Sequence, residues 1–189
     1  YNWAKFRTTK GAVKLHVKLN HSGYLPNFMV MTTGKVHEAK VAPSIPLEKG
    51  DVAIFDRGYT DFSWYKALDD KGVFFVTRLK KNAYYRVVER KDVSSLKDIY
   101  SDQIIKVRGF YSQRKFPDRL RRIRSRDPVT EKIIVILTNN FTWSAKTIAQ
   151  IYKERWQIEL FFKCIKQQLK EKASSALPET PCCPNYGWL

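Results

Sequence analysis

Residues 51–79 constrain the fold more than any other stretch of the chain. Asp51–Phe55 (DVAIF) is short and apolar, as expected of a strand buried on both faces. Residues 61–71 (DFSWYKALDDK) carry helical spacing, and Gly72 is a helix stop. VFFVTRL at 73–79 then reads as a second strand. A strand, a helix and a strand in that order predict an α/β unit. The whole chain has 189 residues, the size of one ordinary domain or of one domain with a small insertion.

Upstream, residues 12–20 (AVKLHVKLN) alternate cleanly. Val13, Leu15, Val17 and Leu19 face one way; Lys14, His16, Lys18 and Asn20 face the other, which predicts a half-buried strand. A turn at 21–23 and PNFMVMTT at 26–33 complete a hairpin. VHEAK at 36–40 fits a short helix or a turn. Residues 80–140 change character: YYRVVER, QIIKVRG, LRRIRSR and KIIVILT are short β-like runs, with Asp127-Pro128-Val129-Thr130 as the turn between the last two. They predict a basic, β-rich insertion. From Ser144, a fair N-cap, to Lys170 the pattern is helical. Beyond Lys172 periodicity stops, and 173–189 reads as a disordered or frame-shifted tail.

Lys and Arg number 35 and Asp and Glu 18, a net charge of +17. Such a charge attracts polyanions, nucleic acid foremost; a merely basic solvated surface is the plainer alternative. The apolar runs fall far short of the ~20 residues a membrane span needs. The three cysteines, Cys164, Cys182 and Cys183, make a poor disulfide framework and a poor zinc site, which points to a reducing compartment.

The informative helix is IYKERWQIELFFKCIKQQLK, 151–170. At about 100° per residue, Tyr152, Arg155, Glu159 and Lys166 share one stripe about 60° wide. Ile151, Ile158, Phe162, Ile165 and Leu169 cluster beside it. One reading is an ordinary amphipathic helix with i,i+4 charge pairs. The other is a carboxylate for a metal ion, with two cations and a phenol for a phosphate. Asp56, at the exit of the DVAIF strand, is placed either to reach a metal at the sheet edge or simply to form a turn with Arg57 and Gly58.

Together these residues resemble a known family. Tyr152-x2-Arg155-x3-Glu159-x6-Lys166 has the spacing of the Y-R-E-K signature of bacterial DDE-class insertion-sequence transposases, the group called insertion-sequence family four. Asp56-Arg57-Gly58-Tyr59 resembles that family's second catalytic aspartate and its following Arg-Gly-aromatic. WAKFRTTKGAVKLH at 3–16 resembles the stretch after the first one. The resemblance spans about residues 1 to 170. It implies a ribonuclease-H-like fold, α/β in the α+β sense: a mixed sheet flanked by helices, with the β-rich insertion before the glutamate helix. The catalytic core would be 1–79 and 141–172, and the insertion 80–140.

The reaction implied is cleavage and strand transfer at the ends of an insertion sequence, with Mg²⁺ (or Mn²⁺) in a two-metal site. Asp56 and Glu159 would be the metal ligands. Tyr152, Arg155 and Lys166, with Arg57, would hold double-stranded DNA. The implied setting is the bacterial cytoplasm, at the nucleoid and away from membranes, with a possible homodimer pairing two DNA ends.

The chain departs from the family in one respect. Residues 1–37 contain no Asp or Glu, and the first acidic residue is Glu38. The first catalytic aspartate is therefore expected upstream of Trp3, and the chain is expected to be truncated at both ends and inactive alone. The alternative is a non-catalytic DNA-binding remnant able to interfere with an intact transposase. His16 and His37 lack partners at ligand spacing and read as ordinary polar residues. Glu38 would replace the missing aspartate only if the sheet placed it beside Asp56. Tyr84, Tyr85, Phe110, Tyr111 and Trp143 are core residues or stacking platforms for bases. Arg119, Arg121, Arg122, Arg124 and Arg126 form a basic run. In it Arg122, Arg124 and Arg126 share a strand face that either tracks a phosphate backbone or is a solvated edge.

Overall fold

The structure, a computed structural model, describes residues 5–7, 10–11, 13–127 and 130–173. The tail from 174, with Cys182 and Cys183, and Pro128 and Val129 of the expected turn lie outside the described residues.

In chain order the strands are β1 (Lys5–Arg7), β2 (Lys10–Gly11), β3 (Val13–Leu19) and β4 (Pro26–Thr33). Helix α1 (Glu38–Val41) precedes β5 (Val52–Phe55), α2 (Phe62–Asp70) and β6 (Phe74–Arg78). Then come β7 (Tyr85–Lys91), β8 (Ile99–Val107), α3 (Phe110–Lys115), β9 (Arg119–Arg126) and β10 (Ile133–Thr138). Helices α4 (Ala145–Lys153) and α5 (Trp156–Ala173) follow. Residues through Arg155 form one compact unit; α5 belongs to a second that begins at Trp156.

The first unit is organised by a six-stranded sheet in the order β5-β6-β10-β9-β8-β7. Only β5 and β6 run parallel, as the strand–helix–strand unit requires. The other neighbours are antiparallel, so the sheet is mixed. The strands of the basic stretch thus continue the same sheet. α3 was not expected from the sequence. The α2 turn chemistry is as expected: Asp61 Oδ1 accepts from Ser63 N at 2.8 Å, and Gly72 ends the helix at φ +74°.

Each face of the sheet has its own core. On one face Phe55, Trp64, Tyr65, Leu68, Phe75 and Leu120 are buried under α2, with Tyr65 stacked on Phe75 at 4.8 Å. On the other, Val76, Ile123 and Ile136 are covered by Ala145, Ile148 and Tyr152 of α4. Ser144 caps that helix, its Oγ accepting from Thr147 N at 3.0 Å. β5 is the edge strand of this sheet: Val52 is exposed and Ile54 only half-buried, so the expected burial on both faces is not met.

The β3–β4 hairpin inverts its expected orientation. His16, from the polar face, is 3% exposed, whereas Val13, Met29 and Met31 on the apolar face are 48%, 56% and 66% exposed. The polar face turns inward because its side chains find partners there. Lys14 Nζ donates to Val36 O at 2.9 Å and Glu38 Oε1 at 3.1 Å, and Lys18 Nζ to Pro46 O at 2.7 Å.

Candidate active site

Asp56 follows directly on β5, whose last residue, Phe55, lies level with Thr77 of β6. Because the two strands are parallel, they finish at the same end of the sheet, and Arg78 is the last residue of β6. Asp56 starts a 3-10 turn over Arg57–Tyr59, in which Tyr59 N donates to Asp56 O at 3.1 Å. Its side chain does not cap that turn. A turn-forming aspartate would use its carboxylate in this way; this one leaves it exposed. Gly58 has no positive φ, and an added Cβ would meet Glu38 at 3.7 Å, so the turn does not depend on glycine for its backbone conformation.

Tyr152 lies in the last turn of α4, and Arg155 follows two residues after its end. Tyr152 is 4% exposed, so it is part of the core and not a residue on its edge. Burial raises its phenol pKa most. The Arg155 charge opposes this, the Asp56 carboxylate adds to it, and Arg78 and a close approach of Arg155 to the hydroxyl lower it. The four groups therefore share one electrostatic neighbourhood. The Arg155 guanidinium stands 5.8 Å from the Tyr152 ring centroid. Within ordinary hydrogen-bond geometry the Tyr152 hydroxyl has no partner, which is unusual for a buried polar atom. Arg78 was missed by sequence reading; the signal was its place at the end of the strand next to DVAIF.

The helix expected over 151–170 is divided into two elements, α4 and α5. Glu154 N and Arg155 N bond to Ile151 O and Tyr152 O, three residues back, and end α4; a new helix begins at Trp156. Within α5, Glu159 sits in the first turn and Lys166 lies seven residues on, so the two share a face, and both are exposed.

The basic run divides. Arg121 is buried and unavailable to a phosphate. Its Nε and Nη2 donate to Asp102 Oδ1 and Oδ2 at 2.9 and 2.6 Å, and its Nη1 to Trp143 O at 2.6 Å. Arg122 Nη1 donates to Gln103 Oε1 at 2.9 Å, with its guanidinium 5.3 Å from the Tyr85 ring centroid. Arg124 is exposed, 5.6 Å from the ring of Tyr100. Arg126 pairs with Glu131 at 2.7 Å. Arg57 is exposed beside Asp56. Tyr84, Phe110 and Tyr111 stay exposed, while Trp143 packs on Phe74. A basic cavity of about 210 Å³, lined by Arg86, Lys106 and Arg108 among others, contains none of the Asp56 group.

His37 is exposed, and Glu38 is bound by Lys14 and packs beside Gly58. Among the described residues no group of three or more His, Cys, Asp or Glu is arranged to hold a metal ion. The uncapped Asp56 carboxylate is a single oxygen donor of the kind a divalent cation takes.

Residues 2–177 match the transposase DDE domain family. The chain belongs to that family. It is 33% identical over 172 residues to a protein of Sinorhizobium fredii named transposase y4zB, covering 89% of this chain and 48% of that one. It is 30% identical over 177 residues to a protein of Geobacillus stearothermophilus named as the transposase of insertion sequence element IS5377, covering 88% and 44%. A Synechocystis protein named for insertion sequence element IS4SA is 28% identical over 169 residues, covering 84% and 44%. The chain spans about half the length of these relatives. The mixed sheet flanked by helices is consistent with the ribonuclease-H-like fold of a DDE domain. No helix among the described residues is long and apolar enough to cross a membrane.

Proposed function

We propose that this chain is part of the catalytic domain of an insertion-sequence transposase carrying the Y-R-E-K signature, and that it acts on double-stranded DNA at element ends. The observation that carries this reading is the Asp56 carboxylate, exposed and uncapped where the parallel β5 and β6 end with Arg78, and near enough to the buried Tyr152 phenol for its charge to act there together with those of Arg155 and Arg78. Asp56 and Glu159 would be ligands of Mg²⁺ or Mn²⁺. A bound divalent metal would polarise the phosphodiester and stabilise the attacking and leaving oxygens.

The chain's own residues do the rest. Arg78 and Arg155 neutralise the phosphate that approaches Asp56, and the Tyr152 hydroxyl donates to one of its oxygens. Lys166, on the Glu159 face of α5, and Arg57 add backbone contacts. Arg122 and Arg124, in the 80–140 segment that we assign as the insertion, hold flanking duplex. Function would be in the bacterial cytoplasm at the nucleoid, as a homodimer across two ends.

The test is duplex binding and cleavage by the full chain with and without Mg²⁺ or Mn²⁺. The metal dependence is expected to vanish in both Asp56→Ala and Glu159→Ala. A basic DNA-binding module without a metal site would ignore the metal and keep its affinity, or gain some, in both variants.

A further inference from the structure

We propose that His16 is a positioning residue for Asp56, acting through the Tyr59 hydroxyl; this rests on the metal-binding role proposed for Asp56. Because the Asp56 carboxylate is exposed and caps nothing, its own turn does not fix where it points. The backbone of residues 56–59 must do so. Tyr59 closes that turn through its N–H to Asp56 O. Its ring meets Phe55, the residue before Asp56, at 6.3 Å and 62°.

The far end of Tyr59 is held from another element. Its hydroxyl lies 3.3 Å from His16 Nδ1 on β3, and His16 Nε2 lies 3.0 Å from Thr32 Oγ1 on β4. The imidazole is 3% exposed and stands edge-on to the Tyr59 ring at 82°. Burial favours the neutral ring. Each hydroxyl can donate or accept, so both ring nitrogens are satisfied in either tautomer. Lys14, on the same face of β3, bonds Glu38, which packs on Gly58. The inward polar face of the hairpin therefore grips the middle and the end of the Asp56 turn. Packing alone would be served by phenylalanine at 59. The hydroxyl adds direction, which metal ligands require from their supporting groups.

The test is Mn²⁺ affinity, followed by electron paramagnetic resonance on the full chain, beside amide exchange at Tyr59 and Thr60. Tyr59→Phe and His16→Gln are each expected to weaken Asp56-dependent Mn²⁺ binding about tenfold. The double variant is expected to be no weaker than either single, because both remove one shared bond. The two amides are expected to exchange about tenfold faster, while β3 amides keep their protection in Tyr59→Phe. Asp56→Asn separates the two readings. If it binds Mn²⁺ as wild type does, the metal assignment fails, and amide exchange still decides whether His16 holds the turn. Wild-type exchange at 59 and 60 in Tyr59→Phe would overturn the proposal. So would wild-type Mn²⁺ affinity in that variant when Asp56→Asn has lost it, or losses that multiply in the double variant.

Discussion

The Tyr24 hydroxyl donates a 2.5 Å hydrogen bond to Glu154 Oε2, joining the tip of the β3–β4 hairpin to the end of α4, next to Arg155. Tyr24 has a positive φ of 52°. Removing the hydroxyl in Tyr24→Phe should cost about 1 kcal/mol, less than a buried bond to a charged group because both partners are partly exposed. Urea unfolding measures the loss. An unchanged midpoint would mean that the bond contributes nothing to holding the hairpin.

Tyr152→Phe should behave in the opposite way. The wild-type hydroxyl is buried without a bond of ordinary geometry, so its removal relieves a desolvation cost. Stability should stay within about 0.5 kcal/mol of wild type or rise. Affinity for DNA ends should fall, since the hydroxyl is assigned to a phosphate oxygen. A destabilised variant with full affinity would make Tyr152 a packing residue only.

Two neighbouring arginines should separate stability from binding. Arg121→Met leaves Asp102 charged, buried and unpaired, a loss of roughly 3–5 kcal/mol. Arg124→Ala should change stability by less than about 0.5 kcal/mol. It should also weaken duplex binding on any sequence and lower the salt slope by about one. With a charge of +17, wild-type affinity should fall steeply between ~50 and ~200 mM salt. A flat response would contradict the electrostatic account.

These arginines also show what could be read from the sequence. Alternation on β9 set Arg122 and Arg124 on one face, and that pattern survives in the fold. It could not show that Arg121 meets Asp102, because the partner comes from β8, 19 residues away. The strand–helix–strand from β5 to β6 was legible because apolar runs, a capping Asp61 and Gly72 all agree locally. The inward polar face of β3 was not, since Lys14, His16 and Lys18 acquire their partners only in the tertiary structure. Nor was the break after Lys153: residues 151–170 keep a helical pattern through it, and only the i→i−3 bonds at Glu154 and Arg155 reveal it. Asp56, Tyr152 and Arg155 were named as candidates from spacing and resemblance. Arg78 needed the parallel pairing of β5 and β6.

Stability should also report the hairpin's inward face through pH. Burial lowers the His16 pKa below 6.5, against a raising influence from Glu38 and a lowering one from Lys14. The unfolded chain then takes up a proton that the folded chain refuses. The contribution of His16 is therefore complete above about pH 6.5 and shrinks as pH falls toward the lowered folded value. Glu38, itself lowered from 4.5, acts only in a more acidic range. The urea midpoint should drop between pH 7.5 and 5.5 in wild type, and drop less in His16→Gln. Parallel curves would contradict the lowered pKa.

The central claim, that Asp56 holds a divalent metal at the strand ends, is tested most directly by loading Fe²⁺ in place of Mg²⁺. Peroxide and ascorbate then cut the polypeptide wherever the bound iron sits. The account predicts fragments with new ends near residues 56, 78 and 152, protected by excess Mg²⁺ and absent from Asp56→Ala. No cleavage near residue 56, or the same fragments from Asp56→Ala, would contradict it.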